Sequence, residues 1–369
     1  MRQRFLKILL IRLRLIGDVV LTTPIVRALR RAYPEARLTY LVEPQAAPVV
    51  EVNPHLDAVI VAPLLAGFAR WRADIALGLR LRRERYDMVI DFHGGPRSSW
   101  LTLAAGAPVR VGYAVVGRGW MYTQQVARPR GHRERHSVHN QWDLVAAVAP
   151  SAAPLTPAAD PVEMPEQPAA SVQVVARLQQ LGFERDAEVI VVHVGAGNDF
   201  RRWPEESFAE VVARLSAARP NRRIILTTGA AQAERAETVR RLATALGVGC
   251  DALAVACDWS LAEIRSLLGR AALFVGGDSG PAHIAATTGV PMVVLYGPTT
   301  AAVWGPWRDP ALVTEIVDNG PLPCRPCDQR TCEPGDFRCL RGIGPGAVVS
   351  AAERAMDRER SARTLNRTV

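Results

Sequence analysis

Short apolar runs, each followed by a segment of helix length, recur along this chain, and the pattern occurs twice. In the first half the strand-like runs are residues 6–11, 37–42, 58–61, 88–91 and 109–111, with helical stretches such as 19–33 and 68–85 between them. In the second half, runs at 189–194, 222–227, 273–275 and 292–296 alternate with helical stretches at 204–217, 230–246 and 261–268. Apolar runs without polar interruption suit strands covered on both faces, and regular alternation with helices predicts parallel sheets. Around 150–168 the pattern gives way to Pro, Ala and Ser, a connecting composition. The 369 residues, 49% hydrophobic, suffice for two cores. The expected fold is α/β, with two Rossmann-like doubly wound domains, 1–165 and 166–345, whose strand ends face a central cleft. A charged helical segment, 346–369, follows and is free to pack back on the N-terminal domain.

Net charge is +9, and it is uneven. Residues 1–150 carry 22 Lys plus Arg against 11 Asp plus Glu, or +11, which leaves −2 for the remainder. The first half is therefore expected to meet something anionic: a phosphorylated substrate, a membrane surface or nucleic acid. Its Arg residues are scattered and no nucleic-acid module is present, so nucleic acid is the weakest of the three. The segment 68–85 sets Phe68, Trp71, Ile75 and Leu79 at helical spacing among Arg70, Arg72, Arg80, Arg82, Arg83 and Arg85. That stripe can pack on a sheet or lie on an anionic membrane. No apolar run reaches membrane-spanning length, and the longest early one, 5–16, is broken by Lys7, Arg12 and Arg14 and lacks a cleavage site. A soluble cytoplasmic protein without a signal peptide is expected.

Three motifs carry chemistry. The stretch 273–299 opens with a strand, turns at Gly276-Gly277, and passes through Asp278, Ser279 and Gly280 into a helix bearing His283. Asp278 and Ser279 are placed to cap that helix, whose free N–H groups can hold a phosphate. After the first strand, Gly17 allows a sharp turn, and Asp18 then stands at a helix start, either as a base for a substrate hydroxyl or as an N-cap. Third, Gly195 and Gly197 follow a strand, and Arg201-Arg202-Trp203-Pro204 precedes the next helix. Those guanidinium groups can neutralise a diphosphate leaving group or belong to a solvated loop. Cys324, Cys327, Cys332 and Cys339 form a cluster that reads as a structural metal site, as reduced thiols, or as disulfides.

These motifs, in this order, resemble glycosyltransferase family 9, the lipopolysaccharide heptosyltransferases. The resemblance is carried by Gly17-Asp18 through Thr22-Thr23-Pro24, by Arg201 through Pro204, by Asp278-Ser279-Gly280 through His283, and by Tyr296-Gly297-Pro298-Thr299. Asp91-Phe-His-Gly-Gly-Pro-Arg-Ser98 matches the family's Asp-x-x-Gly-x-x-basic-Ser segment more loosely. The resemblance implies a GT-B fold and inverting, metal-independent transfer of a heptose from ADP-heptose to a lipopolysaccharide core or lipid A type acceptor. No cofactor is then required for catalysis, and the enzyme works in the cytoplasm, peripherally at the inner membrane. It makes Asp18 the general base. Arg201, Arg202, Asp278, Ser279, Gly280, His283 and Gly195 become donor contacts, with Arg201 where the family usually has Lys. Thr22, Thr23, His93 and Arg97 become acceptor contacts. Rival readings are transfer of another nucleotide-activated sugar, a nucleotide-sugar epimerase, and a non-catalytic nucleotide-sugar binder.

Overall fold

The computed structural model describes residues 7–128, 135–149, 153–183 and 186–367, with side chains through Ala362. Leu6, residues 150–152 and residues 368–369, which belong to the expected first strand, connecting segment and C-terminal helix, lie outside the described residues. The chain divides into two units, Met1–Pro165 and Glu166–Val369.

In the first unit the strands are β1 (Lys7–Ile11), β2 (Arg37–Val42), β3 (Ala58–Val61), β4 (Met88–Asp91), β5 (Val109–Tyr113) and β6 (Gln124–Val126). Its helices are α1 (Ile16–Val20), α2 (Thr23–Ala32), α3 (Gly67–Arg83), α4 (Pro96–Ala105) and α5 (Ser137–Ala146). The second unit has helices α6 (Pro168–Gln180), α7 (Glu205–Ala218), α8 (Ala233–Ala245), α9 (Leu261–Leu268), α10 (Gly280–Ala285), α11 (Ala301–Trp304), α12 (Arg338–Arg341) and α13 (Pro345–Arg367). Its strands are β7 (Glu188–His193), β8 (Arg222–Thr227), β9 (Leu253–Ala256), β10 (Leu273–Gly277), β11 (Met292–Tyr296) and β12 (Thr314–Asp318).

The sheets run β3-β2-β1-β4-β5-β6 and β12-β11-β10-β7-β8-β9, with every pairing parallel. Both have the same doubly wound order, which reverses between β1 and β4 in one unit and between β7 and β10 in the other. Ligands bind beyond the carboxyl ends of strands at such reversals. Register brings Ile11 beside Asp91 and His193 beside Gly276, so the loops leaving these strands start as neighbours.

The central strands are apolar because helices cover both their faces: Met292–Tyr296 and Met88–Asp91 are buried throughout. In the second core, Trp203 and Phe208 meet edge to face at 4.8 Å. The C-terminal helix α13 adds Val348, Ala351, Ala352, Ala355 and Met356 to that same core. The sequence left this helix free to pack back on the N-terminal domain; its apolar stripe fills the space between α7 and the sheet of its own unit. Arg222, fully buried at the start of β8, locks it there through two hydrogen bonds to Glu353, at 2.6 and 2.8 Å.

The expected single helix 19–33 is two. The Thr22 and Thr23 hydroxyls donate to the carbonyls of Val19 (2.7 Å) and Val20 (2.8 Å), ending α1, and Pro24, which lacks an N–H, sits in the first turn of α2. The connecting segment beyond residue 152 is also held down. Glu163 pairs with Arg27, its N–H donates to Thr23 Oγ1 at 2.9 Å, and Asp160 pairs with Arg31.

Candidate active site

In the first unit the site grows from the loops after β1 and β4. Leu15 turns the chain with φ +68°, a strained conformation for a residue with a Cβ. The turn expected at Gly17 is therefore made two residues earlier, and Gly17 lies inside α1. Asp18 falls in the first turn of α1 but does not cap it, because the capping position belongs to Leu15. Its carboxylate, in a side chain only 10% exposed, accepts from Arg12 Nη2. Arg12 Nη1 donates in turn to the Phe92 carbonyl at 2.5 Å, tying Asp18 to the loop after β4.

That loop is built on Asp91, which is fully buried. One carboxylate oxygen accepts from the N–H groups of His93 (2.8 Å) and Gly94 (3.0 Å). The other accepts from Ser98 Oγ (2.9 Å) and Tyr122 OH (2.6 Å). Burial pushes this carboxyl up, while the bonds from Tyr122, Gly94, Ser98 and His93 oppose the shift. Gly94, at φ +67°, provides a turn that a Cβ would strain. His93 is half-buried, and burial, followed by the charges of Arg12 and Arg14, lowers its pKa to about 4. The imidazole is thus neutral at physiological pH, and its buried Nδ1 has no hydrogen-bond partner among the described residues.

The remaining expected acceptor contacts are engaged elsewhere. Arg97 is clamped by Asp74, Glu43 (2.7 Å) and the Pro63 carbonyl (2.7 Å), so its donors hold the scaffold together. Thr22 and Thr23 are completely buried; Thr22 Oγ1 also lies 2.6 Å from Tyr40 OH. Thr22 and Thr23 brace the helix that carries Asp18, Arg97 ties α4 to α3 and to the loop after β3, and of the four only His93 has an unbonded polar atom, a buried one, among the described residues.

In the second unit the loops after β7 and β10 converge. Gly195 is required by crowding, since a Cβ there would lie 2.5 Å from Thr228 Oγ1. Arg201 follows, and its loop is rooted by Trp203, whose buried indole N–H donates to the Ile343 carbonyl at 3.2 Å. Arg201 Nη1 lies 3.2 Å from Asp278 Oδ2, and that oxygen also accepts from Thr299 Oγ1 at 2.7 Å. Arg202, more exposed, pairs with Asp199 at 2.7 Å. His283 Nε2 stands 3.8 Å from the other Asp278 oxygen.

Neither Asp278 nor Ser279 caps the helix, contrary to expectation. Ser279 occupies the capping position without bonding there, and its buried Oγ has no partner among the described residues. The Asp278 carboxylate is drawn away by Thr299 and Arg201. Because α10 has only six residues, Gly280 to Ala285, its dipole is small. The positive charge of the site comes from Arg201 and Arg202.

The four clustered cysteines are free thiols. The thiol of Cys339 is pushed up by burial and then by its neighbours Cys327, Cys324 and Cys332. Among the described residues, no three His, Cys, Asp or Glu side chains are grouped to hold an ion. Sequence reasoning missed a different role for this segment. Gln329, between Cys327 and Cys332, accepts from Arg201 Nε at 2.7 Å.

The profile of "Glycosyltransferase family 9 (heptosyltransferase)" matches residues 75–336. Lipopolysaccharide heptosyltransferase 3 of Escherichia coli is 25% identical over 342 residues, covering 86% of this chain and 91% of its own length. Among solved structures, a glycosyl transferase family 9 protein from Veillonella parvula superposes with a TM-score of 0.80 at 21% identity, covering 96% of this chain and 98% of the other. The E. coli ADP-heptose lipopolysaccharide heptosyltransferase II gives 0.76 at 20% identity, covering 96% and 100%. The last two establish the two-domain GT-B fold.

Proposed function

This chain belongs to glycosyltransferase family 9, the heptosyltransferases, and from that premise we propose that it transfers a heptose from ADP-heptose to a lipopolysaccharide core, with inversion and without a metal ion. The observation that carries the reading is the distribution of chemistry between the two strand-order reversals. One carries a buried carboxylate, Asp18, and the other carries the guanidinium groups of Arg201 and Arg202.

Asp18 takes the proton of the acceptor hydroxyl, and the hydroxyl oxygen forms a bond to the anomeric carbon. On the opposite face the bond from that carbon to the diphosphate breaks, and the electron pair leaves with ADP. Backside displacement inverts the anomeric centre. Arg12 holds the carboxylate in its position, and neutral His93 is available to bond the acceptor. Arg201 and Arg202 meet the charge that develops on the diphosphate, a task that guanidinium groups perform in place of a divalent ion.

The proposal includes the inner-membrane surface, because its acceptor is anchored in lipid. Phe68 and Trp71, 71% and 60% exposed, stack with ring centroids 5.7 Å apart on the outside of α3. Arg70, Arg72, Arg80, Arg82 and Arg83 are exposed on the same helix. The core face of α3 is instead Leu77, Gly78 and Leu81. An aromatic pair rimmed by arginines suits an anionic leaflet. Among the described residues no helix is long and apolar enough to cross a membrane.

A donor screen by calorimetry tests the function. ADP-heptose should bind more tightly than UDP-N-acetylglucosamine, and transfer to a heptose-deficient core should survive EDTA. Preference for a uridine nucleotide, turnover of donor without acceptor, or loss of activity restored by Mg²⁺ would refute it.

A further inference from the structure

The segment from Gly320 to Leu340, which carries the four cysteines, lies against the loops proposed to hold the donor. Arg325 Nη2 donates to the Thr299 carbonyl at 3.1 Å, and the Cys327 N–H donates to the Pro298 carbonyl at 3.2 Å. The Phe337 ring packs on Phe200 with centroids 5.3 Å apart. Leu340 packs so tightly on Gly297 that a Cβ there would overlap it, at 2.4 Å. Between these anchors, Gln329 adopts φ +59°, and its Oε1 accepts from Arg201 Nε and, at 3.4 Å, from Asn198 Nδ2.

These contacts close a ring that begins and ends on one segment. Gln329 holds Arg201 Nε, Arg201 Nη1 pairs with Asp278, Asp278 accepts from Thr299 Oγ1, and the Thr299 carbonyl accepts from Arg325. Arg201 is thereby fixed along two edges of its planar fork, and Nη2 makes no hydrogen bond among the described residues. A guanidinium can be held by two partners and still present a donor to an anion; an ammonium has no such division of edges.

We infer that Gln329 is a positioning residue for donor binding: through Nε it orients the Arg201 guanidinium so that a free N–H faces the diphosphate. This rests on the functional reading above. With Gln329 absent, the charge of Arg201 remains but its plane is set by Asp278 alone, which draws it toward a carboxylate and away from the ligand. Affinity for the nucleoside diphosphate then falls without any change in the chemistry at Asp18.

The test is calorimetric titration of ADP into the full chain as wild type, Gln329→Ala, Arg201→Lys and the double variant, with melting temperatures for each. Gln329→Ala should weaken ADP about tenfold, the size of one charge-assisted hydrogen bond. Its melting temperature should remain within about 2 °C of the wild type, since Gln329 is half-buried on a loop. In the transfer assay KM for the donor should rise while kcat is retained. In the Arg201→Lys background, removal of Gln329 should have no further effect. Should Gln329→Ala melt early, Gln329→Leu, which keeps the bulk of the side chain, must show the same loss of affinity. Equal ADP affinity in wild type and the Gln329 variants, or an undiminished effect in the Arg201→Lys background, overturns the inference while leaving the functional reading intact. Failure of the wild type to bind ADP overturns the functional reading, and the inference with it.

Discussion

Replacing Asp18 by Asn removes the proposed base while preserving its shape, and the structure sets the size of each consequence. Asn keeps an oxygen for Arg12 Nη2, and Arg12 keeps the Phe92 carbonyl. The variant therefore loses the charge assistance of one bond, about 1–2 kcal/mol of stability. For domains of this size that lowers the melting temperature by roughly 2–8 °C. The loss in rate is larger: a missing general base costs about 10²–10⁴ in kcat, or ~3–5 kcal/mol of activation free energy. Donor affinity should not move, because Arg201, Arg202 and Asp278 belong to the other unit. Asp18→Ala should match the loss in kcat but cost more stability, since it leaves the Arg12 guanidinium without its carboxylate at a site where both side chains are about nine-tenths buried. Steady-state transfer kinetics, ADP calorimetry and thermal melts on the two variants separate these effects. A kcat for Asp18→Asn within about threefold of wild type, with the protein folded, would refute the assignment of the base. So would a loss in rate that follows the unfolded fraction.

Three further outcomes follow from named contacts. Burial lowers the pKa of His193 to about 4, so between pH 6.5 and 4 the unfolded chain binds a proton that the folded chain refuses; this group's share of stability is intact near pH 7 and falls by about 2 kcal/mol by pH 5. Urea melts should show that extra acid loss in the wild type and not in His193→Gln, and parallel curves for the two would contradict it. Arg222→Ala breaks the buried pairs to Glu353 and Glu188; because both carboxylates retain some access to water, the cost should lie near the lower end of the usual range, about 3 kcal/mol, visible as a melting point lower by roughly 6–12 °C. Reversing charge at Arg80, Arg82 and Arg83 should weaken co-sedimentation with anionic vesicles in a salt-dependent way, while the same change at Arg240 and Arg241 should not. Equal binding to neutral and anionic vesicles would remove the membrane face.

The sheets were legible because buried parallel strands record both covered faces in one continuous apolar run. The bounds of β2, β3, β4, β8 and β11 coincide with the runs read from sequence. Elements without that record escaped, and so did Leu253–Ala256, an apolar run of four whose two alanines do not tell strand from helix. Gln124–Val126 is polar and short, Thr314–Asp318 is a half-exposed edge, and α4 begins on a Gly-Gly-Pro sequence that reads as a loop. The exposed aromatic stripe of α3 is a related case. Its spacing said helix correctly, but spacing alone does not say which side meets the core, and the structure gives that side to Leu77, Gly78 and Leu81.

The site was legible to the degree that its residues follow a strand. Asp278 comes one residue after β10, and Asp18 and Arg201 stand seven and eight residues beyond β1 and β7, each in the loop region that leaves a strand at an order reversal. Their division of labour was not, because it depends on partners far away in the chain. Asp278 has the sequence position of a helix cap, yet Thr299, 21 residues on, and Arg201, 77 residues before, set its carboxylate to hold a cation instead. Arg97 has the position of an acceptor contact, and Asp74 and Glu43 convert it into a clamp. Gln329 lies 128 residues from the guanidinium it supports, in a segment whose cysteines direct attention to metals. A motif thus names the side chains that converge on a substrate. Whether each touches it or holds another in place is decided by hydrogen bonds with long sequence separation, and those bonds become visible only when the fold closes them.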